Sequence, residues 1–88
     1  MRQVPVNQAP PIGIVGDGRL ARHFQHYFQL LGLPVCRWCR RESTADPLQA
    51  LVSCETVLLL IRDDAIVPFV EQWPDLTRKR LVHCSGSL

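Results

Sequence analysis

The sequence predicts an α/β fold: a mostly parallel sheet of about four strands with helices on both faces. Three observations carry this. Short β-branched or continuously apolar runs recur at residues 12–15, 35–39, 56–61 and 79–84. The segments between them are of helix length and show helical apolar spacing or helix-start signals. Strands alternating with such crossovers pair in parallel, and the apolar runs then need cover on both sides.

Residues 1–11, "MRQVPVNQAPP", form a polar, proline-bearing lead-in, expected to be ordered only where it meets the first strand. The run "IGIV" that follows reads as a strand buried on both faces. A tight turn is expected at Gly16 to Gly18. From Leu20 an apolar stripe of Leu20, Phe24, Tyr27, Phe28 and Leu31 falls at helical spacing, with Arg22, His23, Gln25, His26 and Gln29 on the other face. Gly32 stops that helix and Pro34 prevents its resumption.

"VCRW" is the second strand, leading into the charged "RRESTAD". Asp46 before Pro47 is a helix start, and "PLQALVSC" has room for about two turns. "TVLLLI" is the plainest strand. In "RDDAIVPFVEQW" either Asp63 or Asp64 is the expected cap, and Pro68 is tolerated as part of a first turn whose backbone N–H groups are free. "KRLVHC" is the fourth strand, ending in the small "SGS".

The 88 residues make one domain, expected to bury roughly 60–65% of the surface its unfolded chain exposes. Apolar residues make up 47% and charged residues 20%, ordinary globular usage. A net charge of +2 is too small for the basic field that duplex nucleic acid or an anionic membrane requires, so no nucleic acid and no membrane are expected as partners. No run approaches a membrane span and the N-terminus lacks the features of a signal peptide, which points to a cytoplasmic protein. Cys36, Cys39, Cys54 and Cys84 are accordingly expected as reduced thiols.

Gly16-Asp17-Gly18-Arg19-Leu20-Ala21 fits G-x-G-x-x-G/A, directly after a strand and opening a helix. In that context the first glycine permits the tight turn and the second lets backbone approach a pyrophosphate. The small third residue lets helix and strand pack closely. Backbone N–H groups and the positive end of the helix dipole then face the anion. The expectation is a dinucleotide site, a turn that binds nothing being the alternative. Asp17 is an awkward neighbour for pyrophosphate, and Arg19 beside it supplies a compensating charge.

About 20 residues beyond Gly18, where an NAD site offers a carboxylate to the ribose, the chain reads Cys39-Arg40-Arg41 with no acid before Glu42. Two arginines suit a 2′-phosphate, so NADP is favoured over NAD, with a solvated basic loop as the bland reading. The same pair disfavours S-adenosylmethionine.

"IGIVGDGRLARHF", "TVLLLIRDDAI" and "LVHCSGSL" together resemble the N-terminal Rossmann-like domain of the 6-phosphogluconate dehydrogenase-like oxidoreductases. The nearest branch carries a C-terminal helical domain and is similar to ketopantoate and pyrroline-5-carboxylate reductases. The likeness runs from Ile12 to Leu88. It implies a Rossmann-like dinucleotide-binding domain over residues 12–88, cut before a C-terminal domain that supplies most of the substrate pocket and a homodimer contact. It also implies that the loop after the third strand, Ile61, Arg62 and Asp63, passes the adenosine half of the cofactor. Ser85 and Gly86 would then lie by a small-molecule substrate near the nicotinamide. Arg62 departs from the family, which has proline or a small residue there.

Cys36-Arg-Trp-Cys39 has C-x-x-C spacing, but on a strand its two thiols point to opposite faces, so buried hydrophobes are expected rather than a metal or redox pair. His23 and His26 read as a solvated face, His83 as a strand-end side chain, and Trp38 and Trp73 as packing residues. The functional expectation is the NADP-binding domain of an oxidoreductase moving hydride to or from a small metabolite. Gly16, Asp17, Gly18, Arg19 and Leu20 would lie at the pyrophosphate and Arg40 and Arg41 at the 2′-phosphate. Without its substrate domain it would not turn over. The alternative is a non-catalytic nucleotide-binding module serving as a sensor or assembly element.

Overall fold

The computed structural model describes residues 10–83. Its four strands form one parallel sheet in the order β2-β1-β3-β4. In chain order the elements are β1 (Ile12–Val15), α1 (Arg19–Leu30), β2 (Val35–Trp38), α2 (Pro47–Ala50), β3 (Thr56–Leu59), α3 (Asp63–Gln72), a 3-10 turn (Pro74–Arg78) and β4 (Arg80–His83). This is the expected Rossmann-like α/β architecture in a small form, and every strand pairing is parallel.

The period-2 alternation of the strands sorts their side chains onto two faces. On one face Ile14 joins Ala21 and Leu60, with Leu20, Phe24, Phe28, Val35 and Leu58 packed against them, so α1 covers this side. On the other face Val15, Trp38, Val57 and Leu59 meet Leu51, Phe69 and Leu76, which come from α2's end, α3 and the 3-10 turn. Among the described residues α1 is the only helix on its face. Part of its expected apolar stripe is therefore bare: Tyr27 and Leu31 are 50% and 52% exposed, and Leu30 beside them is 71% exposed.

Several local expectations are met by the chemistry that prompted them. Gly32, at φ +78°, follows the C-cap Leu31. Its N–H bonds Gln29 O at 3.0 Å, and the Leu33 N–H bonds Phe28 O at 2.9 Å, the Schellman pattern that ends a helix in a glycine. The Asp46 carboxylate accepts from the Gln49 N–H at 2.8 Å, a cap of the kind that contributes about 1 kcal/mol.

Others are corrected. α2 is a single turn rather than two, because the chain turns at Leu51 so that the Cys54 N–H bonds Leu51 O. The cap of α3 is Arg62 rather than either aspartate; Asp63 and Asp64 occupy the first turn, where their charge opposes the positive helix end. This early start leaves Pro68 in the helix interior, beyond the first turn, where it removes a backbone bond that the packing of Ile66, Phe69 and Val70 must outweigh. The 3-10 turn at Pro74–Arg78 was not anticipated; it seats the fully buried Leu76 before β4. No helix among the described residues is long and apolar enough to cross a membrane.

Gly13 shapes the middle of the sheet. A Cβ there would lie 3.1 Å from both Leu51 Cδ2 and Val57 Cγ2 and 3.3 Å from Cys54 Cβ, so the missing side chain lets the α2–β3 connection settle onto β1. Cys54 is 1% exposed. Burial, reinforced by the neighbouring Cys36 and opposed by Lys79, pushes its thiol from 9.0 up to about 11. The folded state thus favours the neutral thiol. That stability is fully present below the unfolded pKa near 9 and is lost as pH rises through 11. Urea denaturation across this range should show the native chain losing roughly 2 kcal/mol more than Cys54→Ala. Parallel pH profiles for the two proteins would refute the assignment.

Candidate functional site

The strand order changes direction between β1 and β3. From β1 the chain leaves through α1 on one face toward β2; from β3 it leaves through α3 on the other face toward β4. The two exits diverge and leave a crevice beyond the carboxyl ends of the strands, where open α/β sheets bind ligands. A cleft of about 330 Å3 lies there. Val15, Gly16 and Asp17 line it from the end of β1, Trp38, Cys39, Arg40 and Arg41 from β2, and Ile61, Ala65 and Phe69 from β3 and α3.

The two glycines of the turn are under different constraints. Gly16 has φ +138°, and a Cβ on it would fall 2.6 Å from Leu60 O, so the fold itself requires glycine. Its N–H donates to Trp38 O at 2.9 Å, tying the turn to β2. Gly18 is the N-cap of α1 with an ordinary extended backbone, φ −77° and ψ −174°. A Cβ on Gly18 would meet nothing within 4 Å. The first bond closing α1 runs from the Arg22 N–H to Gly18 O, which leaves the amides ahead of it without a helical carbonyl.

Electrostatics at the two helix starts also differ. α3 carries Asp63 and Asp64 in its first turn, whereas α1 has no acid there and begins with Arg19. The positive end of α1 therefore has no acid in its first turn to oppose it, and Arg19 adds to the charge.

Arg40 and Arg41 are both exposed on the β2 side of the cleft. Arg41 Nε stands 3.9 Å from the Asp17 carboxylate across the mouth, a pairing too exposed to contribute much stability. Asp17 thus turns toward an arginine. The floor is apolar: Trp38 donates its Nε1–H to Ala45 O at 2.8 Å, and its ring lies against Phe69 with centroids 5.8 Å apart.

Of the residues singled out in the sequence, Gly16, Asp17, Arg40, Arg41 and Ile61 meet at this cleft. Leu20, in the first turn of α1, packs against the Ile14 cluster and can offer a ligand only backbone. Arg62 lies outside the lining, its Nη2 donating to Asp64 Oδ2 at 3.2 Å. His83 is exposed at the end of β4. Ser85 and Gly86 lie outside the described residues. No cluster of three or more metal-ligating side chains occurs among the described residues.

Sequence reasoning missed Arg37. On β2, facing away from Trp38, its guanidinium donates to Gly16 O at 3.4 Å and pairs with Glu42 at 3.2 Å. It fastens the glycine turn to the arginine loop and occupies the nearest acid. The available signal was a charged residue inside an otherwise apolar strand, five residues before an opposite charge. Ala65 and Phe69 were missed as cleft walls because α3 was read only for its caps.

Compared with protein-family models, curated proteins and solved structures, the chain matches none.

Proposed function

We propose that this is the NADP-binding domain of an oxidoreductase that moves hydride to or from a small metabolite. The observation that carries the reading is Gly18: neither backbone conformation nor packing asks for glycine there, so the missing side chain serves something that approaches from outside. A pyrophosphate needs such an approach, and the uncompensated start of α1 supplies the field for it. Gly16, Asp17, Gly18, Arg19 and Leu20 would hold the pyrophosphate, mainly through backbone. Arg40 and Arg41 would hold the 2′-phosphate, with Ile61 beside the adenosine. Arg62 would join them by leaving Asp64.

Bound nicotinamide would supply the hydride chemistry; the chain's own residues bind, orient and exclude water over the apolar floor of Trp38 and Phe69. The resemblance to 6-phosphogluconate dehydrogenase-like proteins belongs to this reading, as do a cytoplasmic location, a homodimer made by a further helical domain, and Ser85 and Gly86 at the substrate.

The test is calorimetric titration of the full chain with NADPH and NADH. NADPH should bind at least tenfold more tightly, and Arg40→Ala together with Arg41→Ala should remove that margin while leaving NADH nearly unchanged, since charged hydrogen bonds to a phosphate contribute about 1.5–3 kcal/mol. Equal affinities in the native chain, or no loss in the double variant, would overturn the assignment of the arginines. No binding of either nucleotide would overturn the reading as a whole.

A further inference from the structure

Away from the cleft, one pair of reactive side chains has no part in the proposed function. Cys36 sits on β2 opposite Gly13 of β1, the two being ladder partners whose side-chain positions share a face. Gly13 leaves its position empty, and Cys54 leans into that space, its Cβ 3.3 Å from where a Gly13 Cβ would stand. Cys54 thereby lies against β1, and Cys36 packs against the core cluster that contains it. Both thiols are free, and Cys36 is among the neighbours that raise the Cys54 thiol. Cys36 and Cys54 thus flank the same vacant position, Cys36 one strand spacing of about 4.8 Å from Gly13 within the sheet and Cys54 with its Cβ 3.3 Å from where a Gly13 Cβ would stand, a juxtaposition that a disulfide can span.

We infer that Cys36 and Cys54 are a disulfide-forming pair, a site of reversible oxidation that closes the segment carrying Trp38, Arg40, Arg41 and α2 into a covalent loop. The inference does not depend on what the cleft binds. The two cysteines are unequal in a way that assigns their roles. Cys36 is half-buried on β2, an edge strand among the described residues, and meets the oxidant; Cys54 is enclosed and resolves the product. Lys79 holds Cys54 in place, its Nζ donating to Cys54 O at 2.7 Å and Val52 O at 3.3 Å, and its charge favours the thiolate as it forms.

With a peroxide as oxidant, the Cys36 sulfur attacks one peroxide oxygen and the O–O bond breaks. The product is a Cys36 sulfenic acid, and the departing hydroxide takes the thiol proton to become water when the oxidant is hydrogen peroxide. The Cys54 sulfur then attacks the Cys36 sulfur, the S–O bond breaks, and the second hydroxide leaves as water with the Cys54 proton. Two thiols lose two electrons and two protons, and one peroxide becomes two waters. An external thiol reverses the bond by exchange.

The experiment is peptide mapping of the full chain by mass spectrometry after hydrogen peroxide treatment and blocking of free thiols. The expected product is a peptide pair joined through Cys36 and Cys54 that disappears on reduction. It should persist in Cys39→Ser, Cys84→Ser and be lost in Cys36→Ser and in Cys54→Ser. Gly13→Ala keeps both thiols but crowds Cys54 away, so any folded protein it yields should lose the cross-link. Should Gly13→Ala fail to fold, the serine variants decide alone. A Cys36 oxidised to sulfinic acid beside a free Cys54 would overturn the inference, as would a disulfide that joins Cys36 to Cys39 or Cys84.

Discussion

Gly16→Ala is expected to destabilise the protein by about 3–5 kcal/mol, a large part of the stability of a domain this small. Two costs combine. At φ +138° an alanine is in a region that L residues rarely enter, and its Cβ would be forced to 2.6 Å from Leu60 O. Neither side of that contact has room to yield. The Leu60 N–H is bonded to Val15 O at 2.9 Å, while the Gly16 N–H is bonded to Trp38 O and Gly16 O accepts from Arg37. Relieving the clash therefore means pulling the turn off both neighbouring strands. Urea denaturation measures the cost, and a loss below about 1 kcal/mol would show that the turn relaxes in a way its bonds do not indicate.

The second expectation concerns the other glycine and runs the opposite way. Gly18→Ser should leave stability unchanged or raise it by a few tenths of a kcal/mol, because serine caps a helix at least as well as glycine and a Cβ there meets nothing. Under the proposed function the same change should weaken NADPH and NADH alike by about a hundredfold, close to 2.7 kcal/mol, since the side chain stands between the α1 amides and the pyrophosphate. That common loss separates it from the arginine double variant, which should affect only NADPH. A folded Gly18→Ser protein with native affinity for both nucleotides would remove the pyrophosphate from this turn.

These two glycines also mark how far the sequence could be read. Strand, turn and helix at residues 12–30 were legible because apolar spacing and glycine punctuation are local signals. The Asp46 cap and the Gly32 stop were legible for the same reason. So was the convergence of Gly16, Asp17, Arg40, Arg41 and Ile61 on one cleft, since parallel strands place all their carboxyl ends on one side. What the sequence did not disclose depends on distance in the fold. That Gly16 answers to Leu60 and Gly18 to nothing follows from a backbone contact between β1 and β3. Arg37 as a clasp required the register of β2 beside β1. The bare side of α1 follows from the sheet having, among the described residues, one helix on that face, which no stretch of α1 reveals by itself. The start of α3 moved by one or two residues because Arg62, which makes no side-chain cap bond, is nevertheless extended there.

The strand order has a consequence for how the two walls of the cleft are held. β1 and β3 are interior strands, hydrogen-bonded on both sides, whereas among the described residues β2 has a partner on one side only. The glycine turn hangs from the interior, so displacing it from the sheet requires breaking two ladders. Among the described residues the arginine loop hangs from an edge strand held by one ladder. The two walls of the cleft thus differ in their anchorage: the glycine turn is held by two strand ladders and the arginine loop by one.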